Sequence, residues 1–468
     1  MLILIIIIAL GTSFTSNGRK DETNSNSSNG EMLIPPSLSP SVAFPSTLQP
    51  AISLPSAVDL PAHTMTTSVP SVAGFKETAV IYGQGDGDRL GSSVSMTRDG
   101  NFMALFGSSS TSPVLTFHQR NKSHDDWFPV LASFPIGHAS VSFGSAVDTA
   151  TLPDSGYPIV AVSSTTQVGV YKLVNGRWIE FGKPVRWNSK SSVSYTAIAL
   201  SSDATTLAAG YVNDAGDEMW VNVYTYDSKT MTWNTMGESS LLVNSFHNAA
   251  NGGEKKGTVL SISLTLSGNG RVLTVEEWAV AQTQVVIQTF KWNGGKASNW
   301  SVMGNYLPIP FGPASVALSD NGHRVAVVTD KPGKGVVFEW DNTIDEWNAL
   351  GNNLPGGSSV ALASDGSRII IGDSSIDKAF LYDYSKEASH TWSPVEVFAG
   401  SDSSSYGAVV VIDEIGETIG IGAPTTKSNG KYLGQVVLYG SEIESAAFER
   451  SQKVYTSQHS DRQTQKYN

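Results

Sequence analysis

The sequence predicts an all-β chain: a seven-bladed β-propeller with four-stranded antiparallel blades, its ring closed by an N-terminal strand. Three observations carry this expectation. Six tryptophans, Trp127, Trp178, Trp233, Trp300, Trp347 and Trp392, recur at intervals of about 45 to 67 residues, the length of one blade. Each closes a similar module, with its clearest copies at Ser315-Val-Ala-Leu-Ser-Asp-Asn-Gly322 and Ser359-Val-Ala-Leu-Ala-Ser-Asp-Gly366. The last module stops at Tyr439-Gly440 without a Trp strand, while an orphan strand, Thr78-Ala-Val-Ile-Tyr-Gly83, precedes the first.

Within each module the order is a small-residue strand, a tight turn, a β-branched strand, a Val/Tyr strand and the Trp strand. The first strands begin near Ser93, Ser145, Thr196, Ser261, Ser315, Ser359 and Ala408. Small residues suit strands that crowd around a propeller axis. The turns that follow carry Asp99-Gly100, Asp154-Ser-Gly156, Asp203, Gly268-Asn269-Gly270, Asp320-Asn-Gly322, Asp365-Gly366 and Asp413-Glu-Ile-Gly416. These residue types supply hairpin backbone conformations and accept hydrogen bonds within their own turn. Second strands such as Arg324-Val-Ala-Val-Val328 are β-branched or apolar after their first residue; third strands such as Val336-Val-Phe-Glu-Trp340 alternate. The orphan strand is expected to pair into the seventh blade, which removes the edges of an open array.

Composition sets the outer limits. Charged residues make up only 15 % of the 468, while Gly numbers 44, a balance that suits short strands and tight turns. A formal net charge of −12 disfavours generic binding to nucleic acid or anionic membrane, which need clustered Lys and Arg. There is no Cys, which removes disulfides, thiol catalysis and Cys-type zinc sites.

Four regions follow. Residues 1–16 read as a signal peptide: an apolar run through Ile5-Ile-Ile-Ile8, too short to span a bilayer, then Gly11, Thr12 and Ser13. Residues 17–75 are rich in Ser, Thr and Pro and read as a linker or stalk without a packed core. Residues 76–440 form the propeller, and 441–468 a polar tail.

The repeats resemble FG-GAP-type propeller repeats of secreted and cell-surface proteins, and those of secreted algal propellers. The carriers are Phe143-Gly144-Ser145, Phe311-Gly312, Tyr406-Gly407, Ile419-Gly-Ile-Gly-Ala-Pro424 and Gly434-Gln-Val-Val-Leu-Tyr439, within a resemblance spanning about residues 77 to 440. The family's integrin α-subunit heads bind calcium through loops of alternating Asp and Asn ligands; no loop here carries three such ligands. The pair Asp86-Gly-Asp88 comes nearest, but two carboxylates supply too few of the six to eight oxygens calcium takes, so a polar connection is expected. The eight His form no i, i+2 or i, i+4 metal pair, and His124 beside Asp125 and Asp126 reads as a solvated turn. No nucleophile elbow, phosphate loop or His-Glu-x-x-His appears. Neither a metal nor a cofactor is expected.

Candidate glycosylation sequons stand at Asn26, Asn121 and Asn299. The loop from Leu241 to Lys256, with Asn244, His247, Asn248 and Asn251, is the longest between modules and a candidate partner-binding loop. The leading expectation is a secreted or cell-surface module that binds a protein or glycan and is not an enzyme. The alternatives are a propeller enzyme acting on a glycan or other polymer, and an intracellular WD40-like scaffold. No nucleic-acid partner and no transmembrane span are expected.

Overall fold

The computed structural model describes residues 74–441 apart from 108–113, 122–125, 133, 135–142, 188–192, 215–218, 238–258, 280–284, 295–298, 308–313, 331–332 and 387–389. The described residues form strands, turns and no helix. Seven antiparallel sheets are arranged as a ring, which makes the protein a seven-bladed β-propeller. The inner strands are Leu90–Met96, Phe143–Thr151, Val193–Leu200, Val259–Leu266, Ala314–Leu318, Ser359–Leu362 and Val409–Ile412. Each packs beside the next, and the seventh packs against the first.

The ring closes as the sequence predicts. Phe75–Tyr82 pairs antiparallel with Gln435–Ser441, placing Val80 opposite Val437, so the N-terminal strand is the outer strand of blade 7. The closure holds together chain segments more than 350 residues apart with main-chain hydrogen bonds. Two blades add a short fifth piece: Val185–Arg186 in blade 2 and Leu354–Pro355 in blade 5.

Seven hydrophobic clusters form the core, one at each blade interface. Alternate residues of a strand serve opposite interfaces, because successive side chains leave a sheet on opposite faces. Ile369 and Ile371 pack toward blade 5, while Ile370 packs toward blade 7. This explains why second strands such as Arg368–Asp373 are apolar without alternation: both faces are buried.

The recurring turn has one design. In blades 1, 3, 4 and 5 a Ser or Thr hydroxyl donates to the Asp or Asn two residues on, at 2.6 to 2.9 Å: Thr97 to Asp99, Ser201 to Asp203, Ser267 to Asn269, Ser319 to Asn321. The same side-chain oxygen accepts the N–H two residues further, as Asn321 does from His323 at 2.9 Å. Gly366 shows why the turn requires glycine: φ is +68°, and a Cβ would come 2.8 Å from Arg324 Cδ of the preceding blade. Arg324 also donates to Gly366 O at 3.2 Å and pairs with Glu339 at 2.8 Å, clamping blade 5 to blade 6. Arg368 repeats this clamp on Gly416 O and Asp383 in the next interface.

Four of the six repeat tryptophans are latches between blades, while Nε1 of Trp127 and Trp178 is unpaired. Nε1 of Trp233, Trp300, Trp347 and Trp392 donates to the main-chain oxygen of Phe181, Met236, Met303 and Leu350 at 2.9 to 3.0 Å, each in the preceding blade. In each case the acceptor lies three residues beyond the preceding blade's own Trp. In blades 3 to 6 a second aromatic pairs across the strand with the Trp: Tyr226, Trp292, Trp340 and Tyr384, with ring centroids 5.3 to 5.6 Å apart.

Candidate functional site

The inner strands surround an axial cavity of about 280 Å³, lined by residues of all seven blades. An inner strand is also a sheet edge, so it turns unpaired main-chain N–H and C=O groups toward the axis. Side chains from other blades satisfy part of this requirement.

Arg98 does so at the end of the channel where the hairpin turns lie. It leaves the turn of blade 1 and crosses to the far side. Its Nη1 donates to Leu362 O at 3.1 Å, and its Nη2 to Leu318 O at 3.4 Å. The same Nη2 lies 3.0 Å from the Asp320 carboxylate, which also accepts from Ser364 Oγ at 2.6 Å and Ser202 Oγ at 3.3 Å. One guanidinium thus ties blade 1 to blades 5 and 6, and its carboxylate partner draws in blade 3. Around the same rim runs a belt of main-chain bonds: Gly268 N to Asp320 O, Asp320 N to Ser364 O, Ser364 N to Glu414 O, and Glu414 N to Arg98 O, at 2.7 to 2.9 Å. The turn of blade 2 contains Pro153, which has no N–H to contribute.

Asp148 lies within the channel wall and is the one charged residue in the seven inner strands. Its Oδ2 accepts Leu200 N of blade 3 at 2.7 Å, and its Oδ1 accepts Ser95 Oγ of blade 1 at 2.8 Å and Thr149 N at 2.9 Å. Burial raises its pKa above the ordinary carboxylate value, opposed by these hydrogen bonds and by the charge of Arg98. The site therefore holds a carboxyl group with an increased tendency to carry a proton, in a small cavity with hydroxyls and a guanidinium nearby. Such a group can hydrogen-bond a polar ligand or deliver a proton. The spacing of motifs did not reveal Arg98 or Asp148 as a pair. One signal was available: Asp148 is a lone charge in a strand class otherwise made of small and apolar residues.

A second pair of carboxyls, Glu276 and Glu277, is almost fully buried in blade 4. As neighbours on one strand they leave opposite faces of the sheet, so they do not face each other across one cleft. Among the described residues no group of three or more His, Asp or Glu could hold a metal ion. The Asp86 and Asp88 carboxylates are engaged by main-chain N–H groups of Tyr432, Gln84 and Gly85 at 2.6 to 2.9 Å, the polar connection expected of them. Asn121 and Asn299 are exposed at the hairpin between the third and Trp strands. Asn26, the loop residues Asn244, His247, Asn248 and Asn251, His124, the signal segment, most of the linker and the tail lie outside the described residues. None of the described residues forms a helix long and apolar enough to cross a membrane.

No family model matches the sequence, and no curated protein matches it. Solved structures do. A provisionally assigned 6-phosphogluconolactonase of Bacteroides uniformis is 12 % identical, with 66 % of this chain and 88 % of that one covered and a TM-score of 0.42. An oligogalacturonate lyase solved with manganese is 10 % identical over 80 % of this chain and 94 % of its own, with a TM-score of 0.46. The Dos1 propeller is 9 % identical over 78 % and 95 %, with a TM-score of 0.43. Likeness at these identities shows the fold alone.

These names nevertheless correct one expectation. The sequence reading took the missing catalytic motif to mean that the chain is not an enzyme. Structures with this fold include proteins named as enzymes, so the fold gives no ground for that exclusion. The physical reason is that a propeller brings residues from separate blades to one axis. Ser95, Asp148 and Leu200 meet although about 50 residues separate each from the next, so linear spacing conceals what converges.

Proposed function

We propose that this chain is a secreted or cell-surface propeller that recognises a glycan, taking one sugar unit into the axial cavity. The observation that carries the reading is Asp148: the sole inner-strand charge, held in a polar cavity of about 280 Å³. That volume lies just below the range typical of drug-sized ligands and suits a small polar one. Arg98 and Asp320 brace the turn end of the channel, which directs a ligand toward the opposite mouth. The resemblance of the repeats to FG-GAP-type propellers supports a location outside the cell. So do exposed Asn121 and Asn299, both within sequons.

The raised pKa of Asp148 favours a second reading, in which the same carboxyl donates a proton to the leaving glycosidic oxygen while a water molecule bonds to the anomeric carbon and releases its proton to solvent, so that the bound polymer is hydrolysed. A single experiment separates the two. The full chain, tagged and secreted from a eukaryotic host, is screened on a glycan array, and its ligands are then assayed for chain shortening. Binding without shortening supports recognition alone. Shortening that Asp148→Asn abolishes supports the second reading. An array with no signal above background contradicts both.

A further inference from the structure

The seam where the N-terminal strand meets blade 1 differs from the four interfaces that carry a Trp latch, and shares an unpaired Trp Nε1 with the next interface, that of Trp178. Trp127 of blade 1 packs there against the cluster of Leu90, Val436 and Leu438, but its buried Nε1 has no hydrogen-bond partner. The closing strand Phe75–Tyr82 has no fully buried residue. Between it and blade 1 lies a cavity of about 240 Å³.

Its lining is mainly apolar: Ile81, Leu90, Val114, Phe117, Val130 and Phe134 contribute, together with His118 and Thr116. Val114, Thr116 and His118 alternate along one strand, so they share a face. Val114 packs into the cluster at the seam, which places that face toward the closing strand. Thr116 Oγ1 and His118 Nδ1 are both buried without a hydrogen-bond partner, and His118 is 7 % exposed. A buried polar atom left unpaired is destabilising, so two on one face beside a cavity are a demand that a ligand can meet.

We propose that this seam cavity binds a small neutral aromatic molecule carrying a hydroxyl group, of the phenol class. The apolar side chains of Ile81, Leu90 and Val114, which gather at the seam on the same side as Thr116 and His118, suit a ring. A hydroxyl both donates and accepts, so it satisfies Thr116 and either tautomer of a neutral imidazole. Burial lowers the His118 pKa to about 4, which keeps the ring uncharged near neutral pH and disfavours an anionic ligand. Because such a molecule touches both the closing strand and blade 1, its binding also stabilises ring closure.

The test uses the full chain with phenol and toluene as probes, followed by saturation-transfer NMR and thermal melting. Phenol should give transfer signals and raise the melting temperature with dose, and toluene should bind about tenfold more weakly because it leaves the polar atoms unpaired. Val114→Phe, which fills the cavity, should abolish both effects. His118→Phe, which removes the polar partner, should bring phenol down to the level of toluene, and it serves if the first variant fails to fold. No signal from phenol, or equal binding of phenol and toluene by the wild type, overturns the assignment. This site is separate from the axial cavity, so either can fail without the other.

Discussion

Trp392 Nε1 donates to Leu350 O in the preceding blade at 2.9 Å, and Gly351 lies directly beneath the indole with φ of +75°. A Cβ at Gly351 would sit 2.9 Å from Trp392 Cδ1, so glycine is what lets the indole reach the carbonyl. The same arrangement spans four successive interfaces, which makes the Trp repeat a register of blade-to-blade contacts as well as of blade length. Trp392→Phe should therefore destabilise the fold by about 2–4 kcal/mol, from lost packing and an orphaned carbonyl. Trp127→Phe, whose Nε1 is already unpaired, should cost about 1–2 kcal/mol less than that. Urea denaturation of the two variants checks the difference.

The closing strand should be the last element to form and the first to leave. Deleting residues 76–84 removes the part of the closing strand that pairs with Gln435–Gly440 and opens that edge of blade 7. A lower melting temperature, with early loss of amide protection in blade 7 by hydrogen exchange, is the expected outcome. An unchanged melting curve would count against ring closure by this strand.

Gly366→Ala places a Cβ where φ is +68° and where Arg324 Cδ already lies. Strain and displacement of that clamp should together cost about 1–3 kcal/mol. Ser367→Ala, at the next residue but with ordinary backbone, removes only a donor to Asp365 at 2.7 Å and should cost less. Equal losses in chemical denaturation would contradict the role given to the close approach.

Acid should weaken the native state through His118. Its pKa is lowered from 6.5 to about 4 by burial, so the unfolded chain binds the proton first as pH falls. Stability present above pH 6.5 is lost as pH drops toward 4, by about 3 kcal/mol from this residue at most. His118→Gln should flatten that part of the stability profile. Asp148 acts with the opposite sign: its folded pKa is raised, so its contribution is present below the unfolded carboxylate value and lost as pH rises through the folded one. Asp148→Asn should remove that loss. Melting temperatures across the two pH ranges distinguish the residues.

Much of this architecture could be read from the chain. Repeating Trp, small-residue strands and Asp-Gly turns are local signals, and the missing last strand plus an orphan first one specify closure. Asp99 and Asp203 are held in their own turns as local chemistry predicts, whereas the Asp320 carboxylate departs from that reading and reaches Arg98, Ser364 and Ser202 of other blades. Arg98 and Asp148 were not legible as a pair because their partners come from other blades: Leu362 lies 264 residues from Arg98. His118 was one of eight scattered His, and only the placement of its strand at the seam shows that it is buried beside Thr116. The axial site thus depends on ring geometry that no single repeat encodes.

The most direct test of the account is a parallel glycan array of wild-type and Asp148→Asn protein, with melting curves to show that both are folded. The account predicts a restricted set of bound glycans for the wild type and about tenfold or greater loss for the variant. Identical profiles for the two folded proteins would contradict the axial cavity as the recognition site.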